Sequence, residues 1–139
     1  MSANPMVGTW TYRSLLNDPD VNQDFSKLEF GRGTLVIEET APATLGGTIG
    51  GPGWSLALHG SFGFGSPMQV RFQGKGLVNG ELWIYDYIGW LVPVWPNSDN
   101  TLQRAAIVGS VVRTIPHGSG DGGTSPAGVV ASFYAVKQQ

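Results

Sequence analysis

One carboxylate, Asp86, sits inside the segment ELWIYDYIGWLVPVW, residues 81–95, together with three tryptophans and two tyrosines. A lone acid among rings can hold a proton for exchange with a ligand, or it can anchor a polar group in an apolar pocket. Burial there would raise its pKa unless a cation paired with it. Arg71 and Arg104, on the segments expected to flank this one, are the candidate partners. The second group able to move protons is His117, within RTIPHGSGDGGTSPAG. Imidazole titrates closer to neutrality than any other ordinary side chain. Asp86 and His117 are therefore the two acid/base candidates, for chemistry of the isomerase, cyclase or lyase type.

Other catalytic constellations are missing from the sequence. There is no Gly-x-Ser-x-Gly elbow and no His-Glu-x-x-His pair. The loop around His117 is glycine-rich but lacks the Gly-Lys-Ser/Thr ending of a phosphate loop. One His and Asp121 do not make a metal site, so no metal and no cofactor is expected. Glu38 and Glu39 are adjacent, which on a strand sends them to opposite faces and spoils a glycosidase pair. The carboxylates of NDPD, residues 17–20, lack EF-hand spacing. His59 shares a strand face with Ser55, Ala57 and Ser61, a composition typical of a barrel exterior.

The elements that must position these groups follow from the hydrophobic pattern. Strand-like stretches bounded by Gly, Pro, Asn or Asp recur at residues 7–14, 27–38, 44–50, 54–62, 68–74, 81–90, 101–114 and 129–137. Period-two alternation is plain where it can be tested: Trp54, Leu56, Leu58 and Phe62 fall on one face, as do Met68, Val70 and Phe72 on another strand. Residues 13–28 alone leave room for a helical turn, limited by Pro19. GGPG at 50–53 and KGLVNG at 75–80 read as hairpin connections. The fold class is all-β: one domain over residues 1–139, an eight-stranded antiparallel up-and-down barrel, with a β-sandwich as the alternative. FGRG at 30–33 either bends the second strand or splits it, which would give nine. With eight strands, loops one, three, five and seven share an end, so the long loops at 15–26 and 115–128 neighbour each other at one mouth.

GTW, Gly8–Trp10, resembles the Gly-x-Trp opening of the calycin superfamily of lipocalins, fatty-acid-binding proteins and avidins. The resemblance covers the first strand and the strand count. It implies that Trp10 closes one barrel end beneath a basic residue from a late strand, with Lys137 the candidate and Arg113 the alternative. It also implies a small, mostly apolar molecule bound within the barrel.

Composition bounds the partners. Ten acidic and eight basic residues, with the basic ones scattered, leave no stripe for nucleic acid. The absence of cysteine removes disulfides and thiolate chemistry. No apolar run reaches membrane-spanning length, and the N-terminal stretch shows no leader pattern, so the expected location is cytoplasmic. Glycine, at 21 residues, is about twice its usual share and fits many tight turns.

On an alternating sixth strand, Leu82, Ile84, Asp86, Ile88 and Trp90 share one face, and Glu81, Trp83, Tyr85, Tyr87 and Gly89 the other. Either face could line the lumen. The expected function is therefore binding, rather than catalysis, of a small hydrophobic or aromatic molecule. Trp10, Trp54, Trp83, Tyr85 and Trp90 are the aromatic candidates, and Asp86, Arg71 and Arg104 the polar ones. The alternatives are a small barrel enzyme and a filled barrel acting as a homo-oligomer through its outer aromatics.

Overall fold

A computed structural model describes residues 4–97, 99 and 101–138. Its strands are β1 (Gly8–Leu15), β2 (Glu29–Ala41), β3 (Thr44–Gly51), β4 (Trp54–Gly63), β5 (Gln69–Val78), β6 (Glu81–Val92), β7 (Ala106–Arg113), β8 (His117–Gly118), β9 (Thr124–Ser125) and β10 (Val130–Lys137). β1 to β7 pair in sequence order, and β10 bridges β7 and β1, closing an eight-stranded antiparallel barrel. Full closure leaves no open sheet edge in the barrel. The short β8–β9 hairpin lies outside this sheet, within the loop before β10.

The turns are set by residues that accept positive φ. β5 and β6 meet at Asn79–Gly80, with φ of 52° and 80°, the backbone of a tight type I′ hairpin. KGLVNG thus contributes only its last two residues to the turn; Lys75 to Val78 extend β5. β2 runs unbroken for 13 residues, so the count stays at eight and loops one, three, five and seven do share an end. Its N-terminal bound moves from the expected residue 27 to Glu29, because Phe25–Leu28 forms a 3-10 turn capped by Asp24.

β7 is shorter than the sequence pattern. Its ladder with β6 ends at Val92↔Ala106. Pro93 has no N–H to continue it, so residues 101–105 run as a connection although their composition is strand-like.

The inward residues fill most of the lumen. Leu35, Ile37, Ile49, Leu56, Leu58, Val70, Ile107, Val111 and Phe133 are buried. Trp10 is fully buried at one end, donating from Nε1 to the Met6 carbonyl at 3.0 Å. Lys137 Nζ stands 5.4 Å from the Trp10 ring centroid and donates to the Pro5 carbonyl at 2.8 Å. Lys137, not Arg113, is therefore the cation over this indole, in the arrangement the Gly-x-Trp resemblance implies. This is the closed end; the mouth lies opposite, between residues 16–28 and 114–129.

Candidate functional site

The face of β6 that enters the lumen is the Trp83, Tyr85, Tyr87 face: Tyr85 and Tyr87 are buried and Trp83 packs against the core. Inward glycines on the adjoining strand make room for these rings. Gly74 and Gly76 of β5 pair with Tyr85 and Trp83, and a Cβ at Gly74 would already lie 3.3 Å from the Tyr87 ring. At the mouth these side chains, with Tyr12, Phe30 and Trp54, line an open cavity of about 180 Å³. A cavity of about 150 Å³ lined by apolar side chains holds benzene. One aromatic ring, or a small fused pair, is the size class that fits.

Phe30 reaches the cavity through an irregularity. The β1–β2 register shifts between Ser14↔Gly31 and Leu15↔Glu29, leaving Phe30 as the extra residue of a bulge. A bulge at a barrel rim re-aims one side chain. Here it turns Phe30 to lie edge-on to Tyr85, with ring centroids 5.9 Å apart.

A polar cluster closes one side of the mouth. Arg113, at the end of β7, lies over the Phe30 ring at 4.8 Å and donates from Nε to the Tyr85 hydroxyl at 3.0 Å. His117, on β8, stacks on Trp83 with centroids 4.0 Å apart and planes 13° from parallel. Its Nε2 lies 2.7 Å from the Tyr85 hydroxyl, and its Nδ1 lies 2.8 Å from the Gly118 carbonyl oxygen. A carbonyl only accepts, so Nδ1 carries the ring proton. In the neutral ring Nε2 then accepts from Tyr85. Glu81 Oε1 accepts from the Gly118 amide at 3.0 Å and pins the same hairpin from β6.

Deeper in the lumen, burial pushes the phenols of Tyr12 and Tyr87 above their ordinary value of 10. Ser14 Oγ is buried in the same region without a hydrogen-bond partner. Both tyrosines are thus neutral hydroxyls in the cavity wall. The linkage has a definite sign: above about pH 10 the unfolded chain's phenols lose their protons, while these two keep theirs. Their contribution to stability is therefore constant below that pH and falls as pH rises through the interval up to the folded-state values. The expected loss is about 1.4 kcal/mol per pH unit for each phenol. Urea unfolding at pH 9, 10 and 11 measures the slope, and Tyr87→Phe is expected to reduce it; an unchanged slope in that variant would contradict the assignment.

The other sequence candidates lie elsewhere. Asp86 faces outward from β6, its carboxylate accepting from Gln73 Nε2 at 3.1 Å and Thr114 Oγ1 at 2.5 Å. These groups, rather than Arg71 or Arg104, satisfy it. Arg71 is exposed on β5 and borders the same exterior groove. Arg104 precedes β7 at the closed end, donating to the Lys137 carbonyl at 3.3 Å. Trp90 also points outward and is 43% exposed. Trp10 is inward, but it belongs to the closed end. Of the expected set, Trp54, Trp83 and Tyr85 meet in the cavity, with His117 beside them. His59 is exposed on the barrel exterior.

Tyr12, Phe30, Tyr87 and Arg113 complete the site. Tyr12 and Tyr87 carry a sequence signal in that they alternate with Trp10 and Tyr85 on their strands. Phe30 carries none, because the bulge breaks the period. Among the described residues no helix is long and apolar enough to cross a membrane, and no three His, Asp or Glu side chains gather as a metal-ligand set. Compared with protein-family models, curated proteins and solved structures, the chain matches none.

Proposed function

We propose that this chain binds a small, flat, mostly apolar molecule, aromatic in character, in the mouth of its barrel. The observation that carries this reading is the ring-lined cavity of about 180 Å³ at one end of a lumen otherwise filled. Apolar pockets with a few convergent polar groups are the common form of small-molecule sites. Here Tyr85 lines the cavity with His117 and Arg113 on its hydroxyl, and the β8–β9 hairpin holds His117 against Trp83. Trp10 and Lys137 at the closed end support placing the barrel among calycin-like folds, whose members hold ligands in the lumen.

Iodobenzene tests the reading, because it is one ring in size and its heavy atom quenches indole fluorescence. Saturable quenching through Trp54 and Trp83 is expected, with a Kd on the order of 0.1 mM for a ligand of so few atoms. Phe30→Ala removes one wall and the ring beneath Arg113, and is expected to weaken binding about tenfold. Quenching that stays linear in iodobenzene, with no saturation, would sink the proposal.

A further inference from the structure

We propose that the mouth pocket catalyses proton exchange at the carbon next to the carbonyl of a small aromatic ketone, with Tyr85 taking and returning the proton. The inference rests on the binding reading above and adds chemistry to it. Its ground is what surrounds one oxygen. Tyr85 lines the cavity, and its hydroxyl lies between the Arg113 guanidinium, at 3.0 Å, and the basic nitrogen of His117, at 2.7 Å. The Gly118 carbonyl fixes His117 with its proton on Nδ1, so Nε2 is free to take one more. This oxygen has a proton acceptor on one side and, on the other, a guanidinium held in place by the Pro126 carbonyl at 3.1 Å and the Phe30 ring.

The step balances without any further reactant. The Tyr85 proton moves along the existing hydrogen bond to His117 Nε2, leaving a phenolate that faces Arg113. The phenolate oxygen takes a proton from the α-carbon, and the C–H electron pair shifts into the carbonyl, placing negative charge on its oxygen. Tyr12 and Tyr87 border the same cavity. Burial keeps both protonated, so the wall facing that oxygen carries neutral hydroxyls, able to donate, and no phenolate to repel it. The reverse step returns a proton to carbon. In between, His117, at the rim and 8% exposed, releases its proton to solvent, takes from Tyr85 the proton that came from carbon, exchanges it for deuterium and hands that back to Tyr85, after which solvent protonates Nε2 again. In heavy water the net result is C–H replaced by C–D. Tyr85 is the catalytic residue; His117 and Arg113 are positioning residues that act through it.

The test uses the full chain and 2-indanone, a fused aromatic ketone, in deuterated buffer. Proton NMR follows loss of the α-methylene signal, and saturation-transfer difference in the same tube reports binding. Exchange about 100-fold faster than in buffer alone is expected, falling to the buffer rate in Tyr85→Phe. His117→Gln can still accept the hydrogen bond but cannot take the proton, and is expected to lose about tenfold or more. Saturation transfer should show 2-indanone bound as well by His117→Gln as by the wild type, so that the loss falls on exchange and not on binding. If Tyr85→Phe fails to fold, His117→Gln carries the test alone. Binding of 2-indanone without acceleration, or acceleration that survives in Tyr85→Phe and His117→Gln, overturns the proposal and leaves the binding reading standing. Neither binding nor acceleration counts against both.

Discussion

Replacing Trp10 with alanine is expected to lower the unfolding free energy by about 3–5 kcal/mol. Three losses combine at this position. The indole is fully buried, and its removal leaves a void at a lumen end that neighbouring strands cannot collapse into without breaking their ladders. The Met6 carbonyl loses its donor and stays in a region closed to water. Lys137 loses the ring beneath it, a contact of about 0.5–2 kcal/mol depending on how far it is desolvated. Urea denaturation of the two proteins measures the sum. Trp10→Phe should fall between them, because it refills part of the void without restoring the donor. Iodobenzene binding, measured well below the transition, should be nearly unchanged in Trp10→Ala, since Trp10 lies at the end opposite the mouth. A loss under about 1 kcal/mol would mean that the closed end does not hold the barrel shut.

The strand order and the common end of the long loops were legible in the sequence because side chains on a strand alternate with period two, and the turns are written in Gly, Pro and Asn. The inner face of β6 was not. Both its faces are apolar or aromatic, so alternation marks a strand there without saying which side is inward. The choice lies in the neighbouring strand: Gly74 and Gly76 supply the room that Tyr85 and Trp83 need, a relation visible only once the β5–β6 register is known. Asp86 drew attention as a carboxylate among rings, yet Gln73 and Thr114 satisfy it on the exterior. Of the acid/base candidates, His117 is the one placed beside the cavity, and sequence could not show that its partners would be Tyr85 and Trp83, more than thirty residues earlier. Phe30 was hidden by its bulge. Arg113 was a candidate for the Trp10 indole and instead lies over Phe30 and Tyr85, since only the barrel's closure decides which late-strand cation meets Trp10.

Gly109→Ala is expected to cost about 3 kcal/mol, more than most single-methyl additions to a core. Gly109 on β7 sits directly between Gly89 of β6 and Phe133 of β10. A Cβ there would lie 1.9 Å from the Ile88 carbonyl oxygen and 2.6 Å from Gly89 Cα. Both are backbone atoms, so relief requires parting two strands of a closed sheet, which strains the neighbouring ladders. The paired glycine provides the contrast. A Cβ at Gly89 would meet the tip of Phe133 at 3.0 Å and Ile107 Cγ2 at 3.1 Å, along with the Val108 carbonyl oxygen at 3.0 Å. Two of these three are side-chain atoms that can shift, so Gly89→Ala should cost about 1–2 kcal/mol. That shift has a destination. Phe133 packs against Tyr12 and Tyr87, with centroids 5.7 and 5.9 Å away, and both rings are walls of the mouth cavity. Gly89→Ala should therefore weaken iodobenzene binding while leaving most of the stability, and Gly109→Ala should do the reverse in a sample cooled enough to stay folded. Urea midpoints and quenching titrations on the two variants separate the effects. If Gly89→Ala proves the more destabilising, the distinction between backbone and side-chain neighbours is wrong, and with it the view that these two glycines set how far the packed lumen rises beneath the pocket.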